Sequence, residues 1–389
     1  MNRGIRQILL TVGIFFLWLN VHSAQSTDYN QVAEEQFNYA KTIEENARQQ
    51  RSIEGLQKAV REHKKVFFYP DAIEWVYKSF HNIEKIVDML MILGNPHIPE
   101  GNQYVSPLIE ECEQTIQDYP GTDEAAIAQF AIGNIYRSQW YQHWKGGYSF
   151  KDVTQAFQKV VDNYPQSPLV PHALMEVANS YDLTGYTTDD GLKAIAIYQQ
   201  VIKKYPDTLY ASLSQYNIGV VCFNMEEHKK SIKEYEKVIT NFPNHEYYGS
   251  NMYAHARKKI KWVLSETALP ATIELQPDKW NIEWLKEHPG EGKINCYIGN
   301  IGTYAPQEID TSSIKLNATI PAENPQIINK HPGFTGNVLK VKVNKFKVIK
   351  TIQEPEVDKE YEIMVYGTFS DEKLFYGIST IQIIGGNGK

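Results

Sequence analysis

An aromatic residue followed by proline recurs five times along the chain, and no other feature limits the available folds as strongly. The pairs end at Pro70, Pro120, Pro165, Pro206 and Pro243, at intervals of 50, 45, 41 and 37 residues. Proline lacks an N–H and disfavours helical geometry at the residue before it, so each pair reads as a helix stop. Thirteen residues beyond Pro120, Pro165 and Pro206 stand Gly133, Ala178 and Gly219, small enough to let two helices approach closely. Eight residues before the last three prolines stand the rings Phe157, Tyr198 and Tyr235, and three residues after each ring comes Val160, Val201 or Val238. Ring, valine and stop describe one amphipathic helix and its end. A period of this size predicts stacked helix pairs, none of which buries its apolar face alone.

These units resemble tetratricopeptide repeats. The stretch "QYNIGVVCFNMEEHKKSIKEYEKVITNFP" carries Ile218, Gly219, Tyr235 and Pro243 in the places of the family signature, but has Gln215 and Cys222 where Trp and Tyr are usual. The clearest copies span 121–243, and residues 30–120 read as degenerate copies. The helical part as a whole is expected over 25–266, closed by a capping helix at 250–266 with Met252, Ala256, Ile260 and Val263 inward and Arg257, Lys258, Lys259 and Lys261 facing water. The resemblance implies antiparallel helix pairs with a concave face that binds other proteins.

Beyond Leu269-Pro270 the helical period stops. Short β-rich runs follow, separated by Pro, Gly, Asn and Asp, with alternation such as Leu339, Val341 and Val343 against Lys340, Lys342 and Asn344. Six or seven strands in 271–389 predict an antiparallel Ig-like β-sandwich, with "FSDEKLF" as a hairpin turn. The fold class is therefore multidomain α + β: a helical repeat part and a sandwich, expected to fold separately. Lys340, Lys342, Lys345, Lys347 and Lys350 read as the solvent face of an edge strand kept soluble by charge.

The distance from small residue to ring measures the turn inside each helix pair. It is 16 residues for Gly219 to Tyr235, 20 for Ala178 to Tyr198 and 24 for Gly133 to Phe157. The largest insertion is "SQWYQHWKGGYSF", which holds Trp140, Tyr141, His143, Trp144, Tyr148 and Phe150; the smaller one holds Tyr186. Insertions at one repeat position emerge along one edge. Trp140, Tyr141, Trp144, Tyr148, Phe150 and Tyr186 are the candidate partner-binding residues, since Trp and Tyr dominate interface hot spots. Two readings stay open: the rings form a docking edge, or they fold back between helix pairs as core, the i, i+4 spacing of Trp140 and Trp144 extending a helix inward.

The first 24 residues have the anatomy of a secretory signal peptide: Arg3 and Arg6, the apolar run 8–19, and a small residue at Ala24. Removing them takes the 39 basic residues to 37 against 46 acidic, which argues against nucleic acid as a partner. Once they are cleaved, an exported protein without a membrane span is expected, in the periplasm or an equivalent compartment; the alternative is that they stay as a membrane anchor. Cys112, Cys222 and Cys296 show no pairing or metal spacing, and read as small buried residues.

Catalytic and cofactor motifs are missing from the sequence: no H-E-x-x-H, G-x-S-x-G, Walker loop or dinucleotide fingerprint in context. The expected function is that of a non-enzymatic scaffold, without cofactor or metal, that binds other proteins as a subunit of a larger complex and associates with itself. The domain order resembles the repeat-bearing subunits that organise nitrite oxidoreductase into filaments in anammox-type bacteria. The alternative is a cell-envelope or carbohydrate-binding module that stacks the same aromatic loop on sugar rings.

Overall fold

Three aromatic–proline pairs end three helices with one backbone geometry. Tyr164, Tyr205 and Phe242 sit at the C-caps with φ near −131, −133 and −130°, and their N–H groups donate to the carbonyls of Val160, Val201 and Val238. The ring, valine and stop read from the sequence are thus one recurrent helix end. The computed structural model describes residues 29–68, 102–141, 149–182, 187–247, 250–283, 292–352 and 354–385, together with 78, 79, 82 and 86. The signal-peptide stretch lies outside these residues. No helix among the described residues is long and apolar enough to cross a membrane.

The helices are α1 (Tyr29–Gln50), α2 (Ile53–Lys64), α3 (Asn102–Asp118), α4 (Asp123–Tyr141), α5 (Phe150–Asn163), α6 (Val170–Asp182), α7 (Thr188–Lys204), α8 (Leu209–Asn224), α9 (His228–Asn241) and α10 (Met252–Thr267). The chain forms two compact units that divide between Leu169 and Val170. In the first, α1 packs on α2, and α4 on both α3 and α5; in the second, α6 to α10 pack in sequence. A Cβ on Gly133 would lie 2.6 Å from the Phe157 ring, and one on Gly219 2.7 Å from the Tyr235 ring. Real Cβ contacts are never this short, so the glycines set the closeness of the paired helices. Ala178 and Tyr198, both wholly buried, hold the same slots in the middle pair.

The change to strand comes at Leu269, and α6–α10 share the second unit with the sheets. A hairpin, β1 (Glu246–Tyr247) with β2 (Ser250–Asn251), precedes α10. The strands that follow are β3 (Leu269–Pro270), β4 (Thr272–Gln276), β5 (Lys279–Asn281), β6 (Lys293–Gly299), β7 (Ile309–Leu316), β8 (Ile320–Pro321), β9 (Glu323–Ile328), β10 (Val338–Asn344), β11 (Glu360–Phe369) and β12 (Leu374–Ile384). One sheet has the order β4-β6-β10-β9, the other β3-β12-β11-β7-β8, with β5 also on β12. Pairing is antiparallel except where β3 and β5 run parallel to β12. Ile273, Cys296 and Val341 from the first sheet and Leu316, Val365 and Phe375 from the second belong to one apolar cluster. The β11–β12 turn follows "FSDEKLF" as expected, with Glu372 at φ 71°.

Two expectations are corrected here. β10 is no edge strand: β6 and β9 pair on either side of it. Lys345 and Lys347 lie in a short helix, α11 (Lys345–Ile349), capped by the Asn344 side chain, and Lys350 follows as its C-cap. Lys345 is buried, its ammonium 5.4 Å from the Trp280 ring centroid. The short helix turns the third lysine inward, where a strand would have kept it on the solvent face.

Candidate functional site

The aromatic insertion is framed by two built ends. α4 continues eight residues past Gly133 to Tyr141, whereas α8 stops five past Gly219, so part of the insertion is extra helix. Trp140 and Tyr141 close α4. On the far side Ser149 caps α5 reciprocally: its Oγ accepts from the Asp152 N–H at 3.3 Å, and its own N–H donates to the Asp152 carboxylate at 2.8 Å. The Ser149 hydroxyl, donating to the Asp152 carboxylate at 2.6 Å, and then the Ser149 N–H hold that carboxyl below its ordinary range. Phe150, the first residue of α5, is half-buried. Trp144, Tyr148 and Tyr186 lie outside the described residues, as do the side chains of Trp140 and Tyr141. In the next pair Thr187 caps α7 by accepting from the Asp190 N–H at 3.2 Å.

A polar pattern has the period of the repeat. Gln129 and Gln215 both stand nine residues after a repeat proline. Gln129 Nε2 donates to the Ala156 carbonyl at 3.1 Å, and Gln215 Nε2 to the Glu234 carbonyl at 3.4 Å and its carboxylate at 2.6 Å. Ala156 and Glu234 each precede the ring of their helix. Gln215, read as a departure from the family signature, thus makes a bond that recurs. In the second unit Asn179 Oδ1 accepts from Tyr198 Oη at 2.5 Å and from Asn217 Nδ2 at 3.0 Å, while His172 stacks on Tyr210 at 4.9 Å. Burial holds the Tyr210 phenol well above its usual range, with the Glu176 charge adding to the effect. Each of these side chains is committed to a partner within its own unit, so the pattern specifies packing.

The charged face of α10 departs from expectation. Arg257 does not simply face water: its guanidinium donates to Asn317 Oδ1 at 2.9 Å, the Glu362 carbonyl at 3.2 Å and the Thr351 carbonyl at 3.4 Å. Lys261 pairs with Glu362 at 2.5 Å, and Tyr253 Oη donates to the Thr351 carbonyl at 3.1 Å. From α9, the buried Glu236 carboxylate accepts from Tyr366 Oη at 2.5 Å and from the Lys315 ammonium. The cap's polar side meets the sheets of its own unit, because Asn317 and the β11 backbone offer acceptors there. A cleft of about 400 Å³ remains, lined by Tyr253, Arg257, Lys258, Lys261, Glu362 and Met364 among others. Exposed instead is Trp262, 4.5 Å from the Phe223 ring and 4.7 Å from the Lys259 ammonium; sequence reading did not single it out.

All three cysteines are buried and none forms a disulfide, and burial lifts the Cys222 thiol to about 11. No group of three His, Cys, Asp or Glu suited to a metal ion occurs among the described residues.

A tetratricopeptide-repeat family model matches residues 173–208. Those residues span α6, α7 and the Tyr205-Pro206 stop. Among solved structures, the chain is similar to a thermophilic tetratricopeptide-repeat protein of Thermus thermophilus, at 11% identity over 58% of this chain and 99% of that one, with a TM-score of 0.33. It is also similar to the tetratricopeptide-like repeats of a putative kinesin light chain of Podospora anserina, at 14% identity over 55% and 96%, with a TM-score of 0.31. No curated protein matches the sequence. Residues 173–208 thus match a tetratricopeptide repeat, a kind of unit that generally mediates binding between proteins, and a sheet region rich in antiparallel pairs follows the helices.

Proposed function

We propose that this protein is a non-enzymatic scaffold of an exported complex, which holds a partner protein through the aromatic segment Trp140, Tyr141, Trp144, Tyr148 and Phe150 with Tyr186, and which also associates with its own kind. The observation that carries the reading is the contrast between rigid frame and surplus. The Phe157 and Tyr235 rings sit so close to Gly133 and Gly219 that a Cβ there would come within 2.6 and 2.7 Å, and firm caps at Ser149 and Thr187 restart the chain on the far side of each insertion. Closing a helix pair does not call for the additional aromatic residues. Stiff aromatic surface loses little side-chain entropy on binding, which favours recognition.

The C-terminal part fits an Ig-like module in this reading. The orders β4-β6-β10-β9 and β12-β11-β7-β8 follow the A-B-E-D and G-F-C-C′ arrangement of such sandwiches. Tyr361, at the start of β11, accepts the Glu356 N–H at 2.7 Å, in the manner of the tyrosine corner of that fold. The buried residues of its apolar cluster run from Ile273 to Ile383, which supports reading 271–389 as a module that folds apart from the repeats. The narrower reading, organisation of a filamentous nitrite oxidoreductase, rests on domain order alone. Affinity capture with the tagged protein tests the scaffold: stoichiometric recovery of subunits of one complex supports it. Retention on a polysaccharide column with no protein captured replaces it with the sugar-binding alternative.

A further inference from the structure

We propose that two copies of this protein pair across the α10–sheet cleft, the acidic loop of each copy entering the basic cleft of the other. The inference rests on the self-association in the reading above and names the surface that carries it. The cleft brings together the cations of Arg257, Lys258 and Lys261 against the single carboxylate of Glu362, in a chain whose formal net charge is −7. Lys261 is matched by Glu362. All three hydrogen bonds of Arg257 end on neutral oxygens, and Lys258 has no ion pair among the described residues. Ile352, Met364 and Ile378 give the cleft an apolar wall.

Beside it runs the loop from Glu354 to Glu360, which leaves the cleft at Ile352 and returns at Tyr361. Glu354, Glu356, Asp358 and Glu360 are all exposed, and none forms an ion pair among the described residues. Val357, between them, is 45% exposed, large for an aliphatic side chain. The loop cannot fold onto its own cleft, because its backbone is pinned. The Glu356 N–H is held by Tyr361 Oη, the Asp358 N–H by the Ile383 carbonyl at 2.8 Å, and the Ile383 N–H by the Lys359 carbonyl at 2.9 Å. One copy therefore displays a basic hollow and an acidic, apolar-tipped projection side by side, each unneutralised. A two-fold contact is self-complementary: rotation places each patch of one copy on the opposite patch of the other. Val357 then meets the apolar wall, and the carboxylates meet Arg257 and Lys258. Charges at such a rim set association and its salt dependence.

Sedimentation velocity of the purified protein over a range of concentrations tests the pairing. The wild type is expected to pair at low salt and to weaken as salt rises. Lys258→Glu alone, and Glu356→Lys/Asp358→Lys alone, are each expected to weaken pairing by about tenfold or more, since like charges then face each other. Mixed together, the two variants restore it, because every cleft again meets a loop of opposite charge. All positions are exposed, so melting temperatures stay unchanged and confirm folding. A mixture that stays monomeric, or single variants that pair like wild type, overturns the proposal. Trp144→Ala/Tyr148→Ala is expected to pair normally; loss of pairing in that variant alone would move self-association to the aromatic segment and overturn the cleft.

Discussion

Tyr366→Phe removes one hydroxyl from the contact between repeats and sheets while keeping the ring. Tyr366 is 3% exposed, and its Oη donates to the Glu236 carboxylate at 2.5 Å. A hydrogen bond to a charged group contributes about 1.5–3 kcal/mol, more than a neutral one. Phenylalanine fills the same space, so no cavity contribution adds to the loss. The second partner, Lys315, has a side chain 34% exposed. Solvent screens a pair of that kind, and Lys315→Met is expected to cost only about 0.2–1 kcal/mol. For a unit the size of residues 170–389 a loss of 2 kcal/mol lowers the melting temperature by roughly 4–8 °C. Differential scanning calorimetry of the two variants gives the comparison. Glu236→Leu with Tyr366→Phe should lose less than the two single losses together, because neither polar group is left buried alone. A Tyr366→Phe protein melting within 1 °C of wild type, or a Lys315→Met protein that falls further, would refute this account of the contact.

Other outcomes follow from the same physics. Gly219→Ala, against the usual gain of alanine in a helix, is expected to destabilise by about 1–2 kcal/mol in urea unfolding, because its Cβ meets the Tyr235 ring at 2.7 Å. Gly191→Ala is expected to be near neutral, since its closest neighbour is the flexible thioether of Met225. The cysteines are expected to ignore a thiol reagent at pH 8 until denaturant is added, burial having raised Cys222 to about 11. Burial alone would raise the Glu44 carboxyl, but hydrogen bonds from His63 and Arg48 outweigh it and leave it lowered. Its contribution is therefore present above the ordinary glutamate value near 4.5 and lost as pH falls through the folded value. Glu44→Gln should flatten the melting-temperature profile between pH 6 and pH 3.

The helix ends were legible because proline chemistry is local: Tyr164, Tyr205 and Phe242 stop their helices wherever the chain goes next. Gly133 and Gly219 were legible for a related reason, since a repeat keeps a close contact at a constant distance from its proline. The shared slot of Gln129 and Gln215 stands at the same distance from its proline, but a polar residue there leaves no mark in the apolar period. What sequence could not convey is non-local. The parallel pairing of Leu269–Pro270 and Lys279–Asn281 with β12 joins residues about a hundred positions apart, through strands too short for a pattern. The inward turn of Arg257 depends on Asn317, sixty residues away. A run of cations on one helix face looks the same whether it meets water or the oxygens of a neighbouring sheet.

The central claim, that the aromatic segment docks a partner protein, is tested most directly by Trp144→Ala/Tyr148→Ala in the tagged protein, with partner recovery and melting temperature measured on one preparation. Truncating an interface aromatic weakens binding by about thirtyfold, whereas emptying a core position costs about 3–5 kcal/mol of stability. The account predicts an unchanged melting temperature with the partner lost; a large fall in melting temperature would place the rings in the core and contradict it.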